Sequence, residues 1–408
     1  MVLGNPPYIQ IKWLKDKALY KQEKWKTFSN NGDIYCLFYE KANILLANKG
    51  VGCFITSNKW LRSNYGKKLR DFFVQEADPI ILIDLGADVF ENATVDTNIL
   101  IWKKDHYKFP TYVSKSLTKN NTSMQFKKGE IWSFSDEIHQ KIKEKADKIK
   151  TRLPDFKVKL NYGILTGANK TFLLNKNTAD YLISLDEKNR DLIKPILRGQ
   201  DIFRYYAEFD NKYLLNIHNG VKSKAIPAIN LNEYPTIIKY LETFGNEFKT
   251  RGEQGDNWYN LRNCAYIMDY EKPKILYSDI VQERGKFYYD ENNFYTNDTA
   301  FMIIGEHLKY LVAILNSSIF SFLYKHFYSG GGLGEKGLRF KKEFLLTTPI
   351  PNADSFQEQN IVSLVNQILE AKQADPQADT SALEAQIDQL VYELYGLTQE
   401  EIDIIEGN

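Results

Sequence analysis

Val2-Leu3-Gly4-Asn5-Pro6-Pro7-Tyr8 reads as a short apolar strand running into a polar corner. The Asn5 side-chain oxygen and the Pro6 carbonyl can both accept from one exocyclic amino group. The prolines Pro6 and Pro7 fix φ and supply no competing N–H donor. Tyr8 adds a flat face on which a base swung out of its duplex can stack. Such a corner suits methyl transfer to an amino nitrogen, with geometry and electrostatics in place of a strong general base. Asn before Pro also starts ordinary turns at strand ends, so the tetrapeptide alone leaves both readings open.

Working outward, residues 33–48 show helical spacing, with Ile34, Leu37, Phe38, Ala42, Leu45 and Leu46 on one face. Asp33 is the expected N-cap and Gly50 the stop. Strands are expected at 51–56, 80–84 and 97–102, with a second amphipathic helix over 64–76. Strand, helix, strand, helix, strand, strand is the pattern of an α/β sheet. From 105 to 155 the chain is polar and lysine-rich and ends in an expected helix over 136–151, closed by Pro154. Residues 157–352 alternate short strands and helices, and an acidic helical segment follows Pro351.

Bulk properties set outer bounds. At 408 residues the chain has room for two or three domains, and a net charge of +1 confines any nucleic-acid footprint to local patches. Cys36, Cys53 and Cys264 are widely spaced and odd in number, which fits a reduced cytoplasmic protein. They form no metal-ligand cluster with the five histidines, so no metal is expected. No signal peptide and no apolar run of membrane-spanning length is visible.

With these motifs in order, the chain resembles the γ-type N6-adenine DNA methyltransferases, especially the TaqI-like and type IIG restriction-modification enzymes. Asn5–Tyr8 resembles their catalytic motif, and Asp33–Phe38 the next, whose aromatic (here Phe38) touches the adenine of S-adenosylmethionine. Gly50–Trp60 resembles the following strand and loop. Val89–Val95 resembles the hairpin whose aromatic, here Phe90, stacks on the flipped base opposite Tyr8. The role of Trp60 is open between packing and the catalytic edge. In the second half, Tyr162–Phe172, Leu192–Arg204, Tyr310–Ser317 and Leu345–Pro351 resemble blocks of the same family's target-recognition domain.

The resemblance implies a partial Rossmann-like methyltransferase sheet, its catalytic half only, followed by an α+β target-recognition domain and C-terminal helices. The expected divisions are 1–115 for the catalytic half, 116–156 for a helical connector, 157–352 for recognition and 353–408 for the helical segment. The family's Gly-rich cofactor loop precedes its catalytic motif and has no counterpart here. Phe327–Gly334 lacks the strand-to-helix setting of such a loop and is read as part of the recognition domain. A sheet ending at Val2-Leu3 would leave one edge unpaired. The expectation is therefore a fragment, one partner of a split enzyme whose second chain supplies the cofactor-binding half, or an oligomer that covers the edge.

Arg198, Arg204, Arg251, Arg262, Arg284 and Arg339 lie among Asn, Gln and aromatic residues, a mixture that suits duplex DNA and equally a solvated surface. Lys336 and Arg339, beside the glycines of Gly330–Gly334, are the leading DNA contacts, with Arg198 and Arg204 behind them. No acidic pair with Glu-x-Lys at nuclease spacing stands out. Other readings are a DNA-binding specificity subunit without catalysis, and a methyltransferase acting on protein glutamine or RNA.

Overall fold

The apolar runs of the first hundred residues assemble into one sheet, and the order of its strands decides where the Asn5 corner lies. In the computed structural model all residues are described except 16–19, 22–23, 87–88, 90–95, 109, 115–116, 118–121, 133–136, 283, 330–337 and 408. The chain forms two compact units, Met1–Glu144 with Lys325–Gly337, and Lys145–Tyr324 with Leu338–Asn408.

The first unit contains β1 (Val2–Gly4), β2 (Val51–Ser57), β3 (Asp78–Gly86), β4 (Thr97–Lys103), β5 (Thr111–Ser114) and β6 (Thr122–Met124). Their order is β1-β2-β4-β3-β5-β6. β1 runs parallel to β2, and β3 parallel to β5, while β4 is antiparallel to both β2 and β3. The carboxyl ends of β1, β2 and β3 and the start of β4 therefore share one end of the sheet. Helix α1 (Tyr35–Leu45) lies between β1 and β2 in sequence, and α2 (Lys67–Glu76) between β2 and β3.

An aromatic cluster packs between the helices and the sheet. Tyr39 of α1 meets Phe54, Phe73 and Trp102 with ring centroids 5.1, 5.3 and 5.3 Å away. Gly52 makes this packing possible, because a Cβ there would stand 2.2 Å from the Trp102 ring. Phe126 stacks on Trp132 at 4.0 Å, and Trp132 joins the same core. On the other face the register aligns Leu3, Cys53, Ile101, Ile81 and Tyr112 in one row, none of them buried. Among the described residues β1 pairs with β2 alone, so it forms a sheet edge as expected.

Two sequence expectations for α1 need correction. Phe38, Ile44 and Leu45 point outward, with 39, 56 and 67 % exposure, while Glu40 and Asn43 are buried. The inward face admits two polar residues among apolar ones because their polar groups are satisfied. Glu40 accepts from the Thr27 backbone N–H and hydroxyl, both at 2.9 Å, and Asn43 accepts from the Trp102 indole at 3.3 Å. Of the expected stripe Leu37, Ala42 and Leu46 are buried, but hydrophobicity alone misplaced Phe38 and Leu45. Asp33 is not the N-cap either. Ile34 holds that position with no side-chain cap, and the Asp33 carboxylate is used elsewhere.

The second unit is also mixed α/β. One four-stranded sheet has the order β14 (Tyr295–Thr296), β9 (Ile193–Leu197), β10 (Lys212–Leu215), β8 (Leu173–Asn175). Another runs β13 (Phe287–Asp290), β11 (Lys274–Ser278), β15 (Ala300–Ile304), β7 (Lys159–Tyr162), antiparallel throughout. A two-stranded pair joins β12 (Ile280–Val281) to β16 (Leu338–Arg339). The C-terminal helices pack on these elements. Asp388 accepts from the Ser318 N–H and hydroxyl at 2.8 and 2.7 Å, and the Tyr395 hydroxyl donates to the Pro349 carbonyl at 2.8 Å.

Lys274 and Asp290 face each other across β11 and β13 at 2.6 Å, both fully buried. Asp290 also accepts backbone N–H groups from Asn292 and Phe294, and the Lys274 ammonium donates to the Tyr270 carbonyl. Burial pushes the lysine below and the carboxyl above their ordinary values. Removing one partner leaves a buried charge, so Lys274→Met is expected to lower stability by about 3–5 kcal/mol in urea unfolding.

Candidate active site

The Asn5 corner leaves the carboxyl end of β1, where open α/β sheets place their ligands. Pro6 is buried and anchors the turn, while Asn5 and Pro7 are exposed and Tyr8 is half-buried. The Asn5 side chain has no hydrogen-bond partner among the described residues, so its oxygen is available to a ligand amino group. The Tyr8 hydroxyl reaches the Ile55 carbonyl of β2 at 3.5 Å, and its ring meets that of Tyr35 edge-on at 6.0 Å. Partial burial raises the Tyr8 phenol above its ordinary value.

Next to this corner, the end of β2 is locked by one side-chain amide. Asn98, at the start of β4, accepts at Oδ1 from the Thr56 hydroxyl at 3.2 Å and from the Trp60 indole N–H at 3.1 Å. With the Thr56 proton so committed, the Tyr39 hydroxyl, 2.9 Å away, donates to Thr56. Trp60 is fully buried, which settles it as a packing residue. Its carbonyl is capped by the buried Arg70 guanidinium, and Gly66 must lack a side chain because a Cβ would lie 2.0 Å from that carbonyl. Beyond Ser57, Asn58 donates to Asp84 at 2.8 Å, tying the ends of β2 and β3 together.

A second polar chain runs behind Tyr8. Tyr65 donates to the Asp33 carboxylate at 3.2 Å, and the Tyr35 and Tyr65 hydroxyls are 2.7 Å apart. Desolvation pushes the Asp33 carboxyl above its ordinary value, opposed by the Tyr65 hydrogen bond and the charge of Lys59. Asn98, Thr56 and Tyr65 were not singled out from the sequence, and Asp33 was read there as a helix cap. A polar residue at an inward position of the apolar run 97–102 was the available signal for Asn98.

The remaining sequence candidates are distributed as follows. Phe38 is an exposed aromatic on α1. Phe90 and Lys336 lie outside the described residues. Arg198 is paired with Asp201 and Asp210 at 2.8 and 2.9 Å. Arg204 is held by Glu384 at 2.5 Å and the Asn316 carbonyl at 3.1 Å. Arg339 donates to Asp279 at 2.8 Å and is 45 % exposed at its side chain. Arg251, over the Phe248 ring at 4.2 Å, donates to the Phe248, Trp258 and Asn260 carbonyls and braces its loop. Among the described residues no group of three His, Cys, Asp or Glu is placed to hold a metal ion.

Residues 1–90 match the Eco57I restriction-modification methylase family, and residues 194–350 match the TaqI-like C-terminal specificity domain. The chain is 24 % identical to the Type II methyltransferase M.BstVI of Geobacillus stearothermophilus, over 99 % of this chain and 74 % of that protein. It is 23 % identical to M.PaeR7I of Pseudomonas aeruginosa, over 100 % of this chain and 72 % of that one. In fold it is similar to the Type IIL restriction-modification enzyme MmeI, solved in complex with DNA, with a TM-score of 0.61 at 13 % identity. That likeness covers 99 % of this chain but 56 % of MmeI, so the chain spans little more than half of that enzyme. By these matches the chain is similar to Type II restriction-modification methyltransferases. It joins a segment like the Eco57I methylases to a segment like the TaqI specificity domains, as its motifs implied.

The amide lock is open to direct measurement. Asn98→Leu strands the Trp60 N–H and the Thr56 hydroxyl, at about 1–3 kcal/mol for each buried donor. Tryptophan fluorescence followed through urea unfolding should show the earlier transition.

Proposed function

We propose that this chain carries the catalytic edge and the target-recognition portion of a site-specific adenine-N6 DNA methyltransferase, serving restriction-modification or phage defence. The observation that carries the reading is the exposed, unpartnered Asn5 beside the half-buried Tyr8 at the carboxyl end of the sheet. The sheet order β1-β2-β4-β3, with β4 reversed, supports reading the first unit as the catalytic half of a Rossmann-like methyltransferase sheet.

In this reading the target adenine leaves the duplex, at a cost of a few kcal/mol. Its ring stacks between Tyr8 and Phe90. The Asn5 oxygen and the Pro6 carbonyl accept from the amino group and hold its lone pair in line for attack, with Pro6 and Pro7 keeping the corner rigid. S-adenosylmethionine supplies the electrophilic methyl group when bound. The described residues fit one end of that cofactor: Phe38, an exposed aromatic on a helix whose other aromatics are buried, would take the adenine ring. The remaining contacts belong to a cofactor-binding half on further sequence or a separate chain. A reduced cytoplasmic setting accords with free Cys36, Cys53 and Cys264.

Double-stranded DNA is the partner, with the matched specificity domain as its reader. Lys336 and Arg339 are assigned to phosphate or base contact, Arg339 exchanging Asp279 for DNA. Arg198 and Arg204 are also candidates, although their carboxylate partners give each a bracing role in the free protein.

Labelled methyl transfer from S-adenosylmethionine to sequence-diverse duplex DNA tests the reading. Asn5→Ala is expected to abolish incorporation while leaving duplex affinity within a few-fold in a shift assay. Turnover that survives the substitution refutes the role of Asn5. Duplex binding with no response to S-adenosylmethionine, even with a cofactor-binding half supplied, would favour a non-catalytic specificity subunit. Separately, Lys336→Ala with Arg339→Ala should weaken duplex binding and reduce its salt slope by about 1 for each phosphate that is no longer neutralised. An unchanged slope removes both residues from the interface.

A further inference from the structure

We infer that Asp33 is a positioning residue for Tyr8, acting through Tyr65 and Tyr35. The chain leaving Tyr8 returns beside Asp33: the Ile11 N–H donates to the Gly32 carbonyl at 2.8 Å and the Ile34 N–H to the Ile9 carbonyl at 2.9 Å. Gln10 and Asp33 are thus bridged antiparallel. The Asp33 carboxylate accepts from the Tyr65 hydroxyl. A phenol has one proton, so with that of Tyr65 committed, the hydroxyl contact between Tyr35 and Tyr65 is donated by Tyr35. The order is fixed: Tyr35 to Tyr65 to Asp33.

That order has a mechanical consequence. Tyr35 is fully buried, and its ring meets the Tyr8 ring at an interplanar angle of 82°. Anchoring the far end of a buried phenol fixes the direction of its long axis, and an edge-to-face contact transmits that direction to the next ring. Phenylalanine at positions 35 and 65 would fill nearly the same volume without two hydroxyls to satisfy. The polar chain therefore adds direction rather than bulk. A capping role for Asp33 does not compete, since α1 begins without a side-chain cap. The brace stands on these contacts alone. Its value to the chemistry rests on the reading of Tyr8 as the face that receives the target base.

The full chain labelled with 3-fluorotyrosine gives a direct test by fluorine NMR, the Tyr8 line being the one that disappears in Tyr8→Phe. Tyr35→Phe and Asp33→Ala are expected to shift and broaden that line. Asp33→Asn, whose amide oxygen still accepts from Tyr65, should restore it. A Tyr8 line unmoved in folded Tyr35→Phe and Asp33→Ala overturns the proposal. If Asp33→Ala fails to fold, Tyr35→Phe, which removes one oxygen, carries the test by itself. In the methyl-transfer assay, the same two variants should lower kcat about tenfold more than they raise KM for DNA. If Tyr8→Ala leaves transfer intact while the fluorine line responds as expected, the base-stacking reading fails and the brace stands.

Discussion

One reversed strand organises the first unit. β4 enters between β2 and β3 antiparallel to both, so its first residues, Thr97 and Asn98, lie level with the last residues of its neighbours. Had the connection returned parallel, the start of that strand would lie at the opposite end of the sheet. Because it does not, the amide of Asn98 reaches both Thr56 and Trp60. The end of β2, beside the strand that carries the Asn5 corner, is therefore a floor whose polar groups point in fixed directions. A methyl transfer that depends on holding an amino group in line, with no strong base, needs such a floor more than it needs a reactive side chain.

The core beneath that floor mixes large rings with satisfied polar groups. Tyr39 belongs to both, packing on Phe54, Phe73 and Trp102 while its hydroxyl joins the Thr56–Asn98 lock. Tyr35 does the same one turn earlier, touching Tyr8 with its ring and Tyr65 with its hydroxyl. Such side chains couple apolar burial to orientation, because the ring supplies the area and the hydroxyl selects one rotation. The second unit commits its charges in a similar way. Arg198, Arg204 and Arg251 are held by carboxylates or carbonyls, and Lys274 with Asp290 forms a buried pair. A count of arginines along the sequence therefore overstates the cations that stand free on its surface.

The motifs were legible because they are local. Asn-Pro-Pro-Tyr, the strands at 51–56, 80–84 and 97–102, and the ordered blocks of the second half are short-range patterns of residue type, and all three strands recur in the fold. The buried face of α1 was legible only in part, at Leu37, Ala42 and Leu46. Hydrophobic spacing put Phe38 and Leu45 inside, whereas Glu40 and Asn43 took that place with partners from Thr27 and Trp102, thirteen and fifty-nine residues away. Asp33 was misread for the same reason, since a carboxylate before a helix is a good cap until a distant tyrosine claims it.

The sequence by itself determined that an Asn-Pro-Pro-Tyr corner follows a strand, that α/β units surround it, and that a second segment resembles a DNA-specificity domain. Each of these depends on residues within a few positions of one another or on the order of blocks. Tertiary structure alone decided which polar side chains lock the end of β2 beside that corner, that Trp60 is a packing residue, and which arginines are already committed. Those outcomes are set by partners far apart in the chain, and a hydrogen bond is determined by where both groups end up rather than by the identity of either.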